Sequence, residues 1–307
     1  MKKAPKDMAN KFDLIVIGAG ITGLTAARCA VERGKSVALF EAELMGGLVV
    51  NVGKLEGYPM TEDVSGIELA MVLAEQCMTL GVQITEEPVE SLTLDGGDKV
   101  VKTESGEYRA PKVIVASGAS LKKLGVPGET ELYGRGVSQC AFCDGAMFMG
   151  EEVVVVGGGD AALQEALHLA EHCSKITMVV RGNRLRARQS YVGRAADDPK
   201  FAFRWNTVVE AIEGSDGVEG ITLRDAQNDT TESLACTGVF VFVGVAPNTG
   251  FLPDDVARDA EGAVTVNAAL ESSVPGLYAA GAARAGYLGQ IANAVGEGTA
   301  AAIKATS

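Results

Sequence analysis

Residues 12–41 read "FDLIVIGAGITGLTAARCAVERGKSVALFE". An apolar run of strand character ends in glycines. A stretch with helical spacing follows and closes on Gly34, and "KSVALFE" then reads as a second strand ending in an acid. Gly18, Gly20 and Gly23 fit GxGxxG, and Glu41 lies 23 positions after Gly18. The first glycine permits a tight turn, the second lets the backbone approach a pyrophosphate, and the third allows helix to pack closely on strand. The N–H groups that open the helix suit phosphate, and a carboxylate at position 41 can accept both hydroxyls of an adenosine ribose. In this strand–helix–strand–acid context the motif predicts a dinucleotide site.

The pattern recurs. Residues 151–162 read "EEVVVVGGGDAA", a strand followed by Gly157, Gly159 and Ala162 as GxGxxA; a helix in "LQEALHLAEHC" and a strand in "KITMVV" come next. Where the first copy has Glu41, the second has Arg181, and "RGNRLRAR" sets Arg181, Arg184, Arg186 and Arg188 within eight residues. Taken alone, four arginines describe a solvated face. At the end of the second strand of a Rossmann unit they favour a ribose 2′-phosphate, and so NADP(H) over NAD(H). Each half continues with three short strands and a buried fourth, in "VESLTLDGGDKVVKTESGEYRAPKVIVASG" and "VVEAIEGSDGVEGITLRDAQNDTTESLACTGVFVFVG". The chain therefore reads as a diverged duplication of an α/β, three-layer ββα Rossmann-like unit, with one domain inserted in the other. An acid in one site and arginines in the other match a flavoprotein that holds FAD in its first half and takes hydride from NADPH in its second.

The remaining composition bounds the function. The 307 residues allow two domains, and a net charge of −13 disfavours nucleic acid and anionic membrane as partners. No run approaches the roughly 18 apolar residues of a membrane span, and "MKKAPKDMAN" lacks a signal-peptide core, so a cytoplasmic protein is expected. Cys29, Cys77, Cys173 and Cys236 stand singly and are expected to be reduced and inert.

Cys140 and Cys143 are different, since "CAFCDG" places them two residues apart just before the second glycine motif. They could be a redox pair, half of a metal site, or two neighbouring thiols. A structural zinc site takes four ligands, and one CxxC supplies two. The only histidines, His168 and His172, are spaced i, i+4 beside Cys173 but lack the glutamate of HExxH. A metal is not expected at either place. A redox dithiol fits better, because one thiol can attack a disulfide and the other resolve the mixed disulfide. Asp144 can carry the proton that this exchange needs, although an aspartate before Gly145 also suits a plain turn.

Seven stretches together resemble the low-molecular-weight thioredoxin reductase family: "IVIGAG", "MGGLVVNVGKLEGYP", "VIVASGAS", "GRGVSQCAFCDG", "VVVVGGGDAALQEAL", "GVAPNT" and "PGLYAAGAARAGYLGQIANAVGEG". The resemblance implies a discontinuous FAD domain, residues 1–117 and 245–307, and an inserted NADP domain, residues 118–244. It assigns Gly18, Gly20, Gly23, Glu41, Gly46, Gly47, Asn51, Gly118, Gly281, Gln290 and Ile291 to the flavin cofactor. To the pyridine nucleotide it assigns Gly157, Gly159, Asp160, Arg181 and Arg186. Electrons would pass from NADPH through FAD to Cys140–Cys143, and then to thioredoxin, a thioredoxin-like protein or a small-molecule disulfide. Cys143 would face the flavin, Cys140 would attack the substrate, and Asp144 would serve as acid–base group in a homodimer.

Four positions depart from the family pattern. The usual "AAGD" is "AAGA" with Ala282, "HRR" is "VRG" with Gly182, and Leu48 and Gly289 stand where glutamine and arginine are usual. Ala282 predicts weaker flavin retention or a substitute contact, and Gly182 weakens the preference for NADPH. Three of the four surround the flavin position, which marks a divergent branch. Two alternatives keep the fold: a dithiol oxidase that closes a small-molecule disulfide at the expense of oxygen, and a reductase fed by ferredoxin. A nucleotide-binding redox sensor without turnover is a third.

Overall fold

The computed structural model describes residues 10–59 and 64–307, so the lysine-bearing start of the chain lies outside the described residues. The chain divides into two compact units, Met1–Ser120 with Ala246–Ser307, and Leu121–Val245.

The first unit is built on a five-stranded parallel sheet. Its order is Leu277–Ala279, Lys112–Val115, Leu14–Ile17, Val37–Glu41, Gln83–Glu86. The first helix, α1 (Ile21–Glu32), follows Gly20 and stops at Gly34, whose φ of 79° is left-handed. The second, α2 (Gly66–Thr79), begins with a capping box in which Ser65 and Glu68 satisfy each other's backbone N–H groups.

Strand side chains alternate between faces, so the sheet buries two cores. Leu14, Val16 and Leu39 pack with Leu24 and Ala27 of α1 and with Ala301 and Ala302 of the C-terminal helix. Ile15, Ile17 and Phe40 face the other way, onto Leu92, Val101 and Tyr108 of an antiparallel meander, Ser91–Asp95, Asp98–Thr103 and Gly106–Ala110. This is the ββα layering expected from the two periodicities. Fully buried side chains such as Leu24 and Phe40 each contribute about 1.5–3 kcal/mol of apolar burial.

The second unit repeats the plan. Its parallel sheet runs Phe201–Trp205, Lys175–Val180, Glu152–Val156, Gly238–Val241, Val137–Ser138. A single helical turn, α3 (Ala141–Asp144), follows the last of these strands in space but precedes the others in sequence. The next helix, α4 (Asp160–Leu169), packs Leu163, Ala166 and Leu169 on Val153, Val155 and Met178. The opposite face, Val154, Val156 and Val179, packs on the second meander through Val209, Ile221 and Leu223. α5 (Gln189–Asp197) follows the arginine-rich loop, and α6 (Ile291–Thr306) closes the first unit against α1.

In each sheet the strand ends are level. Ile17 pairs with Phe40 and Val115, and Val156 with Val179 and Val241. Chemistry-bearing loops are thus gathered at one edge, the carboxyl ends of parallel strands, where ligands bind in open α/β sheets.

Candidate active site

Within the second unit a disulfide joins Cys140 and Cys143, whose Cα atoms are 5.3 Å apart. Cys140 follows the edge strand Val137–Ser138 and opens α3, and its sulfur accepts the Cys143 N–H at 3.1 Å. Ser138 is buried and ties the local acid to the pair. Its Oγ accepts the Cys140 N–H at 3.0 Å and donates to Oδ2 of Asp144 at 2.6 Å. Asp144 is therefore an oriented carboxylate. Phe142, between the cysteines, and Met147 and Met149, shortly after them in the chain, are 47%, 77% and 71% exposed.

Glu165, one turn into α4, lies beneath the pair. Its carboxylate accepts the Ala141 N–H at 2.7 Å, and burial pushes its pKa up to about 7 against the pull of the Ala141 and Phe142 N–H groups. His168 rests on the Phe142 ring, with centroids 5.8 Å apart, and burial lowers its pKa. His168, Glu171 and His172 bring one ligand atom each to within 4.8 Å of one another. The four single cysteines are free thiols. Burial raises the pKa of Cys77 and Cys173 to about 11 and of Cys236 to about 12, and it raises that of Cys29 too, so they remain protonated and unreactive.

The two glycine loops show what each site accepts. At Gly18, with φ of 101°, an added Cβ would lie 2.3 Å from the Ala116 carbonyl oxygen; at Gly157, with φ of 142°, 2.3 Å from that of Phe242. The fold itself demands those two glycines. Gly20 and Gly159 differ. Their φ values of −70° and −98° suit any residue. A Cβ at Gly159 would meet nothing within 4 Å, and at Gly20 only the Gly46 carbonyl oxygen at 3.7 Å. No neighbour within the protein requires glycine there, so the open space is a cradle for a group that approaches the backbone closely, as a pyrophosphate does. Both units fit a dinucleotide on this ground.

The surroundings set the two sites apart. Glu41 ends its strand and folds onto the first loop, accepting the Ala19 N–H at 2.6 Å. Gly46 and Gly47, both with positive φ, lay the next segment over the same loop, where the Gly46 N–H donates to Ala19 at 2.8 Å. Asn51 ends the short helix that follows. Gly118 comes just after the strand Lys112–Val115 and Gly281 just after Leu277–Ala279, while Gln290 and Ile291 open α6. All these candidates belong to one unit and sit in loops or at the ends of its strands and helices.

In the second unit Arg181 follows the strand Lys175–Val180, and the Arg186 N–H donates to the Gly158 carbonyl at 2.7 Å, so the arginine loop folds back over the glycine loop. Arg181 and Arg186 are exposed and make no ion pair among the described residues. Asp160, by contrast, is engaged by Arg188, taking its N–H at 2.7 Å and its Nε at 3.2 Å. Two uncompensated guanidiniums beside a phosphate cradle suit a second phosphate.

Ser138 and Glu165 were not among the sequence candidates. Ser138 carries no motif signal. Glu165 does, since it falls on the α4 stripe of Ala162, Ala166 and Leu169, where an apolar residue is expected.

Comparison with known proteins agrees with this geometry. The family model "Pyridine nucleotide-disulphide oxidoreductase" matches residues 12–298. The chain is 38% identical over 301 residues to a thioredoxin reductase of Treponema pallidum, covering 98% of each chain. It is 40% identical over 293 residues to one of Bacillus subtilis, covering 95% of this chain and 92% of the other. The solved thioredoxin reductase of Lactococcus lactis superposes with a TM-score of 0.93 at 34% identity, covering 96% of this chain and 97% of that one. A duplicated glycine cradle, a CxxC disulfide and these matches together place the chain among the pyridine nucleotide-disulphide oxidoreductases, which work with a flavin and a nicotinamide cofactor, and within them in the low-molecular-weight thioredoxin reductase family.

Proposed function

We propose that this protein is an NADPH-dependent FAD flavoprotein that reduces the disulfide of thioredoxin or a thioredoxin-like protein. The observation that carries the reading is a disulfide, flanked by an oriented acid, set at the same sheet edge as a phosphate cradle ringed by free arginines.

FAD bound in the first unit supplies the two-electron link between nicotinamide and disulfide. Gly18, Gly20 and Gly23 would shape the turn for its pyrophosphate, Glu41 would take its ribose, and Gly46, Gly47, Asn51, Gly118, Gly281, Gln290 and Ile291 would complete its site. In the second unit Gly157, Gly159 and the start of α4 at Asp160 receive the NADPH pyrophosphate, while Arg181 and Arg186 receive the 2′-phosphate. Reduction of the Cys140–Cys143 bond takes two electrons and up to two protons, and Cys143 is the sulfur that accepts the electrons. The Cys140 thiolate then attacks the substrate disulfide. Cys143 resolves the mixed disulfide, and the protein pair closes again as the substrate leaves as a dithiol. Asp144, fixed by Ser138, holds the proton that passes between carboxyl and sulfur. The exposed Phe142, Met147 and Met149 favour a protein substrate, which can cover apolar surface that a small disulfide would leave wet.

Homodimer formation belongs to the same reading. Ile67, Met71, Val72 and Met78 of α2, with Leu44 and Leu48, expose apolar surface suited to a second copy. The reading also places the protein in a reducing cytoplasm, where single thiols persist. No helix of the described residues is long and apolar enough to cross a membrane.

The test is an anaerobic titration of the FAD-loaded protein with NADPH and, in parallel, NADH. NADPH should bleach the oxidised flavin, and oxidised thioredoxin should restore it. Bleaching by a small dithiol but by neither nucleotide would overturn the reading in favour of an oxidase.

Two substitutions probe the cofactor sites separately. Gly159→Val should fold normally, within about 1 kcal/mol, because its side chain meets only open space. It should weaken NADP⁺ binding more than tenfold in calorimetric titration, whereas unchanged affinity would mean that the cradle holds no phosphate. Ala282→Asp restores a carboxylate beside the short turn at Gly281, where the new side chain can take a flavin hydroxyl. It should tighten FAD about tenfold, read by flavin fluorescence on dilution, as one charge-assisted hydrogen bond would.

A further inference from the structure

Glu165 is a half-buried acid for which the reaction above has no use. It stands on the apolar stripe of α4, a costly place for a carboxylate unless something specific holds it. What holds it is the redox turn itself, since its carboxylate accepts the N–H of Ala141, between the cysteines, and the neighbouring Phe142 N–H also favours its charged form. α4 is the helix that starts at the phosphate cradle, so one helix supports the nucleotide loop at its first residue and the disulfide turn one turn later.

We propose that Glu165 is a positioning residue for the redox pair, whose carboxylate clamps the turn between Cys140 and Cys143 and sets the balance between disulfide and dithiol. The inference rests on the reading of Cys140–Cys143 as the working disulfide.

The mechanism is electrostatic. In the reduced pair one sulfur is a thiolate over part of the pH range, and a thiolate at Cys140 has the Cys143 N–H of the same turn at 3.1 Å to stabilise it. Glu165 fixes the same turn through the Ala141 N–H and, when ionised, adds a like charge beside the thiolate. Other charged groups lie on the elements packed against α4. They are Asp144 on α3, Arg194 and Asp197 on α5, and Glu152 and Lys175 on the neighbouring strands; His168 follows on α4 itself. Burial is what raises the pKa of Glu165 to about 7, however, and the N–H groups of Ala141 and Phe142 are what oppose it. Glu165 is therefore largely neutral at pH 6 and largely ionised at pH 8, and the clamp disfavours thiolate at the higher pH alone.

The experiment equilibrates the flavin-loaded protein anaerobically in glutathione buffers at pH 6 and pH 8. One protein disulfide and two glutathione thiols become two protein thiols and one glutathione disulfide. Alkylation followed by mass measurement reads the reduced fraction. Glu165→Gln keeps an acceptor for the N–H groups but removes the charge. It should leave the equilibrium constant within about twofold of the native value at pH 6 and move it about tenfold toward the dithiol at pH 8. Glu165→Leu, which removes the acceptor as well, should lose most thioredoxin turnover at both pH values, and Glu165→Gln should retain it at pH 6. Identical equilibria in the native protein and Glu165→Gln at both pH values would overturn the proposal. So would equal turnover of the Gln and Leu variants at pH 6. The glutathione equilibrium uses neither nucleotide nor thioredoxin, so its failure is distinguishable from failure of the reductase reading.

Discussion

Cys143→Ser is expected to abolish turnover of thioredoxin, by at least about 1,000-fold, while NADPH still bleaches the flavin at an unchanged rate. Cys143 is exposed at the end of a single helical turn, and its sulfur bonds Cys140. Replacing sulfur with oxygen at that position leaves no core cavity. The lost ring spans only residues 140–143, and closing so short a loop adds at most about 2 kcal/mol to stability. Folding and nucleotide binding should therefore survive. Chemistry does not, because an alcohol cannot form the disulfide that receives the electrons, and Cys140 alone can attack a substrate but cannot be released from the mixed disulfide. A trapped adduct between Cys140 and a thioredoxin, visible on a non-reducing gel, is the positive counterpart. Native turnover by the variant would remove Cys140–Cys143 from the reaction.

Arg181→Ala combined with Arg186→Ala is expected to raise KM for NADPH about 100-fold or more and KM for NADH less than about threefold. A hydrogen bond between charged partners contributes about 1.5–3 kcal/mol, so two guanidiniums lost together account for at least two decades. Both side chains are solvent-exposed, and Arg186 is tied to the glycine loop through its backbone N–H, which the substitution keeps. The loss should therefore appear in nucleotide choice and leave kcat with saturating NADPH nearly unchanged. Equal effects on the two nucleotides would mean that the arginines steer the pyrophosphate or only decorate the surface. Gly182 is open to solvent on its side-chain side, with nothing within 4 Å of an added Cβ, so the missing arginine of the family pattern leaves a gap in charge and none in packing.

Most of the fold was legible because its signals are local. Glycine turns between apolar strands and helices, repeated in the same order with the same meanders, can make little else. The doubled cores of Leu14 and Ile15, or Val154 and Val155, are the period-two alternation of single strands made visible. Gly18 and Gly157 were legible for the same reason, since a tight turn requires them wherever it occurs.

The active site was legible only in part. The residue types at 140, 143, 144, 181 and 186 announce a dithiol, an acid and a phosphate site, because that chemistry needs those groups at short spacing. Spacing does not say how an acid is held. Ser138 orients Asp144 through a bond across α3, and no pattern of serine in "GVSQC" requires it. Whether Asp160 faces a ligand or an arginine is decided by the return of Arg188 from 28 positions away. Glu165 is the clearest case. In sequence it is one acid in a helix. In the structure it becomes a half-buried carboxyl bonded to the redox turn, because the edge strand Val137–Ser138 sets α3 against α4. Sequence alone determined the duplicated nucleotide-binding architecture and singled out Cys140 and Cys143, the pair that the structure joins as a disulfide, since both follow from short-range geometry. Tertiary structure alone decided which side chains hold the turn that carries them, since burial and charge depend on elements distant in the chain that pack together only when it folds.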